Sequence, residues 1–290
     1  MSELKTAIEK IETDGYCLLR GVYDKQQMAE ALNRVRWWDK FCQDRTSDKV
    51  PFLNVGQSTV YNLQNKDIFF LNLLFGPKIP QDIQVHFLND RWFKQIPQNE
   101  PNYIVRSYIA RSSNHELPMH IDSFVPYLGD HVFMMQYSII LEDQSAKNGC
   151  TVVVPGSHKA GAYTTQDARK DAIALESEVG DVVVWDSRLW HGTTANETDG
   201  TRWAIIATFC RWWCKQHWNI PQAMPQEIYD QLTPSQKAVL GFCSVPHLDE
   251  AHGIDLKCGY DDLPSDVRAY RPKGEALGVE TLGRAELKLE

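Results

Sequence analysis

Between Tyr103 and Trp213 the chain breaks into short runs rich in β-branched and aromatic residues: Tyr103–Ala110, His131–Leu141, Cys150–Val154, Asp181–Trp185 and Arg202–Trp213. Asn148-Gly149, Pro155-Gly156, Gly180-Asp181 and Asp199-Gly200 punctuate them. Such pairs supply the backbone conformations that join neighbouring strands. Strands this short are stable only when stacked into a sheet with a buried face, so the region predicts a β-barrel or sandwich.

The flanks read differently. Leu4, Ile8 and Ile11 share one face of a helix over 2–12, and Tyr16–Leu19 follows Asp14-Gly15 as a strand. Asp24 is a candidate N-cap for a helix running to about Phe41. Residues 42–66 show no period and are expected to form a loop over a pocket, a candidate lid. Asp67–Phe75 is apolar nearly all round and predicts a buried helix. Pro225–Leu240 looks helical, and 244–290 is polar and irregular. The expected fold class is mainly β with flanking helices. We expect one domain over 1–290: a helix-rich part over 1–100, a β core over about 103–213 and a mixed cover over 214–290.

Composition narrows the function. With 43% hydrophobic and 23% charged residues among 290, the chain can bury a sizeable core. A net charge of -8 disfavours a nucleic-acid footprint or an anionic membrane surface. No stretch approaches the roughly 18–20 apolar residues of a membrane span. Met1–Thr13 is charged throughout and is not a signal peptide. The seven cysteines are scattered, with no CxxC pair, as for free thiols in a reducing compartment. A cytoplasmic protein acting on a small molecule is expected, with neither nucleic acid nor membrane as partner. The oligomeric state is not legible.

Pro118-Met119-His120-Ile121-Asp122 carries the chemistry. Residues two apart on an extended chain point to the same side, so His120 and Asp122 can reach one ion. Trp190-His191-Gly192, just after the run Asp181–Trp185, offers a third ligand. Two histidines and one carboxylate on one face of an ion leave three positions open, as non-haem iron(II) oxygenases require. Two of these suit a chelating 2-oxo acid and the third dioxygen. The far carboxylate of 2-oxoglutarate must be paired when buried, and Arg202 is the candidate. Arg202, Ala204, Ile206, Thr208 and Cys210 share one strand face and are mostly small. Trp203, Ile205, Ala207 and Phe209 share the other. The first face resembles the inside of a ligand-holding barrel.

Residues 103–213 resemble the phytanoyl-CoA dioxygenase-like (PhyH) branch of the Fe(II)/2-oxoglutarate-dependent oxygenases. The resemblance rests on His120-Ile121-Asp122, on Asn148-Gly149-Cys150-Thr151-Val152-Val153-Val154-Pro155-Gly156-Ser157-His158-Lys159, on Gly180-Asp181-Val182-Val183-Val184-Trp185, on His191, and on Arg202 eleven residues later. It implies a double-stranded β-helix (jelly-roll, cupin-like) core with Fe(II), 2-oxoglutarate and O2 at its mouth. It also implies oxidation of a substrate C–H bond, usually hydroxylation, as 2-oxoglutarate is decarboxylated to succinate and CO2. Gln136 falls where relatives place an amide on 2-oxoglutarate. The chain departs from the pattern at Ala204, where relatives often have Ser or Thr, so a co-substrate contact must differ. The pairs Trp37-Trp38 and Trp212-Trp213 are not part of the resemblance.

Other candidates are weighed individually. Thr193 either hydrogen-bonds near the iron or stabilises a turn. Arg106 and Tyr108 are expected on one strand face, touching substrate or co-substrate or cross-linking the core. His131 begins a strand and either lines the pocket or is structural. His158 is read as a turn residue, Trp185 as a packing residue, and Asp186 and Arg188 as a loop pair. Two rival readings stay open: a cupin-like metal enzyme that does not use 2-oxoglutarate, and a non-catalytic binding protein on the same fold.

Overall fold

A computed structural model describes residues 2–43, 57–90, 93, 96 and 100–245. The part of the 42–66 segment spanning 44–56, Cys258 and most of the 244–290 tail lie outside the described residues.

Helix α1 (Glu3–Asp14) starts at Ser2, whose hydroxyl accepts from the Lys5 N–H, and stops at Gly15, which takes φ 88°. That left-handed turn returns the Gly15 N–H to the Ile11 carbonyl and leads into β1 (Tyr16–Leu19). Helix α2 (Lys25–Gln43) follows, with the Asp24 carboxylate accepting from the Gln27 N–H. The expected loop contains a strand the sequence did not reveal, β2 (Gln57–Val60). Helix α3 (Ile68–Phe75) is capped by Asp67 and buries Phe70, Leu71, Leu73 and Leu74. Helix α4 (Lys78–Leu88) was not expected. Its signal was present in Ile79, Ile83 and Phe87 at four-residue spacing, with Pro80 in the first turn.

Eight strands follow α4 among the described residues, beginning with β3 (Ile104–Ser113), β4 (Leu117–His120), β5 (Met134–Ile140), β6 (Thr151–Val153), β7 (Ile173–Leu175), β8 (Val182–Asp186) and β9 (His191–Thr193). The last strand is β10 (Ala204–Cys210). The expected helix over 225–240 is two short ones, α6 (Gln226–Tyr229) and α7 (Pro234–Val239), preceded by α5 (Ile220–Ala223). Pro234 cannot continue a helix from Tyr229 and instead opens α7, which carries a Thr233–Gln236 capping box.

One sheet has the order β1-β8-β5-β10-β3-β2 and the other β4-β9-β6-β7, with antiparallel pairing throughout. Alternation splits the large sheet into two faces. Val105, Tyr108, Ala110, Tyr137, Val184, Ile205, Ala207 and Phe209 pack with α1–α4 and with Ile220, Met224 and Ile228 in the main core. The opposite face faces the small sheet, and Ile140, Val183, Trp185 and Ala204 meet Val153 and Leu175 there. Strands of two sheets enclosing an inner face, with helices behind one of them, form the jelly-roll the sequence implied.

A β-bulge interrupts β3 where Thr208 pairs with Ser107 but Phe209 pairs with Val105, so Arg106 is the extra residue. The bulge breaks the simple alternation expected for Arg106 and Tyr108. Tyr108 is fully buried on the helix side, where its hydroxyl donates to the Phe70 carbonyl at 2.9 Å. It is a core residue, not a lining of the cleft.

Candidate metal centre and co-substrate cleft

His120 ends β4 and His191 begins β9, and antiparallel pairing sets the two directly opposite each other. Their ring centroids are 4.1 Å apart. Gly192 permits this approach, because a Cβ there would sit 2.5 Å from the Leu117 carbonyl oxygen. Asp122, two residues beyond His120, is fixed by its backbone N–H on the Ser187 carbonyl at 2.8 Å. Its Oδ1 lies 3.4 Å from His120 Nε2 and its Oδ2 3.1 Å from His191 Nε2. One ligand atom from each of the three residues lies within 4.8 Å of the others.

The far side of each imidazole is also specified. His120 Nδ1 is 2.8 Å from the Pro118 carbonyl, and His191 Nδ1 is 2.9 Å from the Leu189 carbonyl. A carbonyl only accepts, so each Nδ1 carries a hydrogen and each Nε2 is the ring atom turned toward Asp122. Burial works against a charged Asp122, yet His191 and hydrogen bonds from both rings hold its carboxyl well below the usual carboxylate range. An ionised carboxylate and two oriented lone pairs fit a divalent cation, which would replace protons on Nε2.

Trp185 does more than pack. It is buried between the sheets, and its indole N–H donates to Asp122 Oδ2 at 3.3 Å. It also ends a polar row across the large sheet. Ser107 Oγ donates to Thr208 Oγ1 at 3.1 Å, and Thr208 Oγ1 donates to Gln136 Oε1 at 2.8 Å. Gln136 pairs in register with Trp185. With its carbonyl oxygen so occupied, Gln136 has its amide N–H groups left to donate.

Arg202 lies just before β10. Its Nε donates to the Ser113 carbonyl at 2.9 Å and a terminal nitrogen to Thr193 Oγ1 at 3.3 Å. Thr193 also accepts from the Leu117 N–H at 2.9 Å, so it ties the arginine to the strand that carries His120. Gly149, at φ 97°, lets the side chain through: a Cβ there would sit 2.5 Å from Arg202 Nε. Burial and the neighbouring Arg111 push the Arg202 guanidinium down to about 10. Among the described residues it meets no carboxylate.

The remaining candidates separate. Arg106 is partly buried, with its guanidinium 5.1 Å from the Phe124 ring, which is 60% exposed. Phe124 holds φ 62°, unusual for a bulky residue. His131 precedes β5 and is exposed, lining a separate hollow with His86, His158 and Arg188. His158 sits in a short helical turn with Nε2 3.3 Å from the Glu12 carbonyl, away from the triad. Asp186 and Arg188 do pair, with contacts of 2.6–3.2 Å, and Arg188 continues to the Gly129 carbonyl. Asp181 of the Gly180-Asp181 pair is structural, accepting from Arg20 and from the Gly21 and Glu178 N–H groups. Arg111 was not anticipated. The expected strand stopped at Ala110, one residue short of it, and continuing the alternation past Ile109 would have placed Arg111 on the cleft face.

The model of the phytanoyl-CoA dioxygenase (PhyH) family matches residues 11–204. The chain belongs to this family. Among its relatives, Dioxygenase af480 of Aspergillus fumigatus is 24% identical over 257 residues, covering 84% of this chain and 79% of that protein. Dioxygenase andF of Emericella variicolor is 24% identical over 224 residues, covering 64% and 77%. Solved structures share the fold. HygX of Streptomyces hygroscopicus, with nickel and 2-oxoglutarate bound, superimposes with TM-score 0.57 at 15% identity, covering 74% of this chain and 89% of that one. The epimerase SnoN, in complex with Fe3+, alpha ketoglutarate and nogalamycin RO, gives TM-score 0.55 at 18% identity, covering 72% and 83%. The PhyH assignment agrees with the jelly-roll and with the motif residues at the triad. No helix among the described residues is long and apolar enough to cross a membrane.

Proposed function

We propose that the chain is a non-haem Fe(II)/2-oxoglutarate-dependent dioxygenase that hydroxylates or otherwise oxidises a C–H bond of a small-molecule metabolite. The observation that carries this reading is the triad geometry: two Nε2 atoms and one carboxylate converge while both Nδ1 hydrogens are tied to carbonyls. His120, Asp122 and His191 would hold the iron. Bound there, iron(II) and 2-oxoglutarate supply the oxidising chemistry, using O2 and releasing succinate and CO2.

The chain's own residues position and enclose. Arg202 pairs the far carboxylate of 2-oxoglutarate, supported by Thr193, and the Gln136 amide donates to the same molecule. Trp185 steadies Asp122 so that the open positions keep one orientation. Arg106 and Phe124 border the entrance and select substrate, while Ile109 and Ile206 exclude water from the target carbon. The exposed apolar side chains of Phe124, Val125 and Tyr163 at this end suit a substrate with an apolar body. We read residues 1–290 as one oxygenase unit, because the N-terminal helices and α5–α7 share a core with the large sheet.

The test is anaerobic titration of iron(II)-loaded protein with 2-oxoglutarate, following the weak visible charge-transfer band of the chelate. The band should appear in the wild type and vanish in His191→Ala. Iron binding without the band would favour a cupin-like enzyme that does not use 2-oxoglutarate. Absence of iron binding would leave a non-catalytic protein on the same fold.

A further inference from the structure

Two arginines, not one, face the region where the co-substrate is expected. Arg111 lies on β3 directly opposite Ala204 of β10, the residue two after Arg202. Its neighbours in the alternation, Tyr108 and Ala110, are buried on the helix side. Arg111 and Ile109 therefore point between the sheets, and both are only partly buried although β3 is flanked on both edges. A partly open face on an interior strand marks a cleft, and Ile206 on β10 is partly open in the same way.

The Arg111 side chain makes no hydrogen bond or ion pair among the described residues. The ionised Asp122 and the Tyr61 phenol lie near enough to favour its charged form, in keeping with its position between the sheets opposite Ala204. It also lies close enough to Arg202 to disfavour that residue's charge. Arg202 is anchored to the Ser113 carbonyl, two residues from Arg111 on the same strand, so both guanidiniums serve one small volume. Two partly buried cations side by side, neither of them ion-paired to a carboxylate among the described residues, are costly unless a ligand neutralises them. Ala204 is small and contributes no polar group, which leaves the space beside Arg202 to the Arg111 side chain.

We propose that Arg111 is a second anchor for the distal carboxylate of 2-oxoglutarate, forming with Arg202 a two-guanidinium clamp across the β3–β10 pair. This rests on the reading of the site as a 2-oxoglutarate oxygenase. A carboxylate has lone pairs for donors from two directions, and Arg202 with two of its nitrogens tied to Ser113 and Thr193 cannot engage both edges. Arg111 approaches from the neighbouring strand and completes the recognition. It binds and positions co-substrate and has no role in holding the metal.

The experiment is calorimetric titration of the full chain, loaded with Mn(II), with two ligands: 2-oxoglutarate and 2-oxopentanoate, which keeps the chelating group and lacks the distal carboxylate. Arg111→Gln should weaken 2-oxoglutarate about tenfold or more and leave 2-oxopentanoate unchanged. Adding Ala204→Ser to that variant should restore part of the loss by placing a hydroxyl at the vacated spot. Far-ultraviolet circular dichroism and the Mn(II) affinity report whether the variant is folded, and Arg111→Lys provides a second variant that keeps the charge. Unchanged 2-oxoglutarate affinity in folded Arg111→Gln overturns the clamp, as does equal weakening of both ligands. If the wild type binds Mn(II) but neither ligand, the oxygenase reading itself falls, and that result differs from a selective failure at Arg111.

Discussion

The indole N–H of Trp185 donates to Oδ2 of Asp122 at 3.3 Å, the same oxygen that lies 3.1 Å from His191 Nε2. The large sheet thus reaches across the jelly-roll to hold a ligand that the loop after β4 supplies. Removing a hydrogen bond that orients a metal ligand typically costs about 10–100-fold in metal affinity. Trp185→Phe keeps the packing between the sheets and removes only the donor. Iron(II) affinity measured by competition with a chelator should fall by about that factor, with little change in thermal stability of the metal-free protein. Undiminished affinity would mean that the contact does not orient Asp122.

Arg202→Ala tests the co-substrate anchor independently of the metal. Truncating one partner of a buried charge pair costs about 2–5 kcal/mol, or about 30-fold or more in affinity. 2-Oxoglutarate binding should weaken by at least that much while iron(II) binding stays within error. Loss of both together would indicate a collapsed cleft.

Gly149 should behave as part of the same anchor although it carries no side chain. Alanine there would meet Arg202 Nε at 2.5 Å and would also have to adopt φ 97°. The backbone strain alone is worth about 1–3 kcal/mol. Gly149→Ala should lower the urea midpoint and weaken 2-oxoglutarate. Gly200→Ala is the control: its nearest neighbour would be Thr198 Oγ1 at 3.7 Å, and it should do neither.

Tyr108→Phe separates core from cleft. The hydroxyl lost is the donor to the Phe70 carbonyl, so stability should drop by about 1 kcal/mol. Co-substrate affinity should not move. A changed 2-oxoglutarate affinity would restore Tyr108 as a cleft residue.

The ligands were legible because chemistry of that kind restricts residue type and spacing at once. His120 and Asp122 are two apart on an extended segment, and His191 stands beside a recognisable strand. The three-residue strands β7 and β9 show why other features were not: too few residues repeat for a period to register. Arg106 and Tyr108 show a second limit. Alternation predicts a shared face, and a bulge decided by pairing with Phe209 and Thr208 reverses it. Arg111 fell outside the expected strand by one residue. Trp185 read as apolar bulk, because sequence shows neither the direction of an indole N–H nor the carboxylate that meets it.

The large sheet divides its labour by face. One side, with Val105, Tyr108, Ala110, Ile205 and Ala207, is pressed against helices. The other presents Arg106, Ile109 and Ile206 to the cleft. Substitutions at Arg106, Ile109 and Ile206 therefore fall on partly open positions, while those that fold the chain lie behind the backbone. Such a partition lets a lineage drift toward new substrates without passing through unfolded ancestors, and a directed library at Arg106, Ile109 and Ile206 would inherit that freedom.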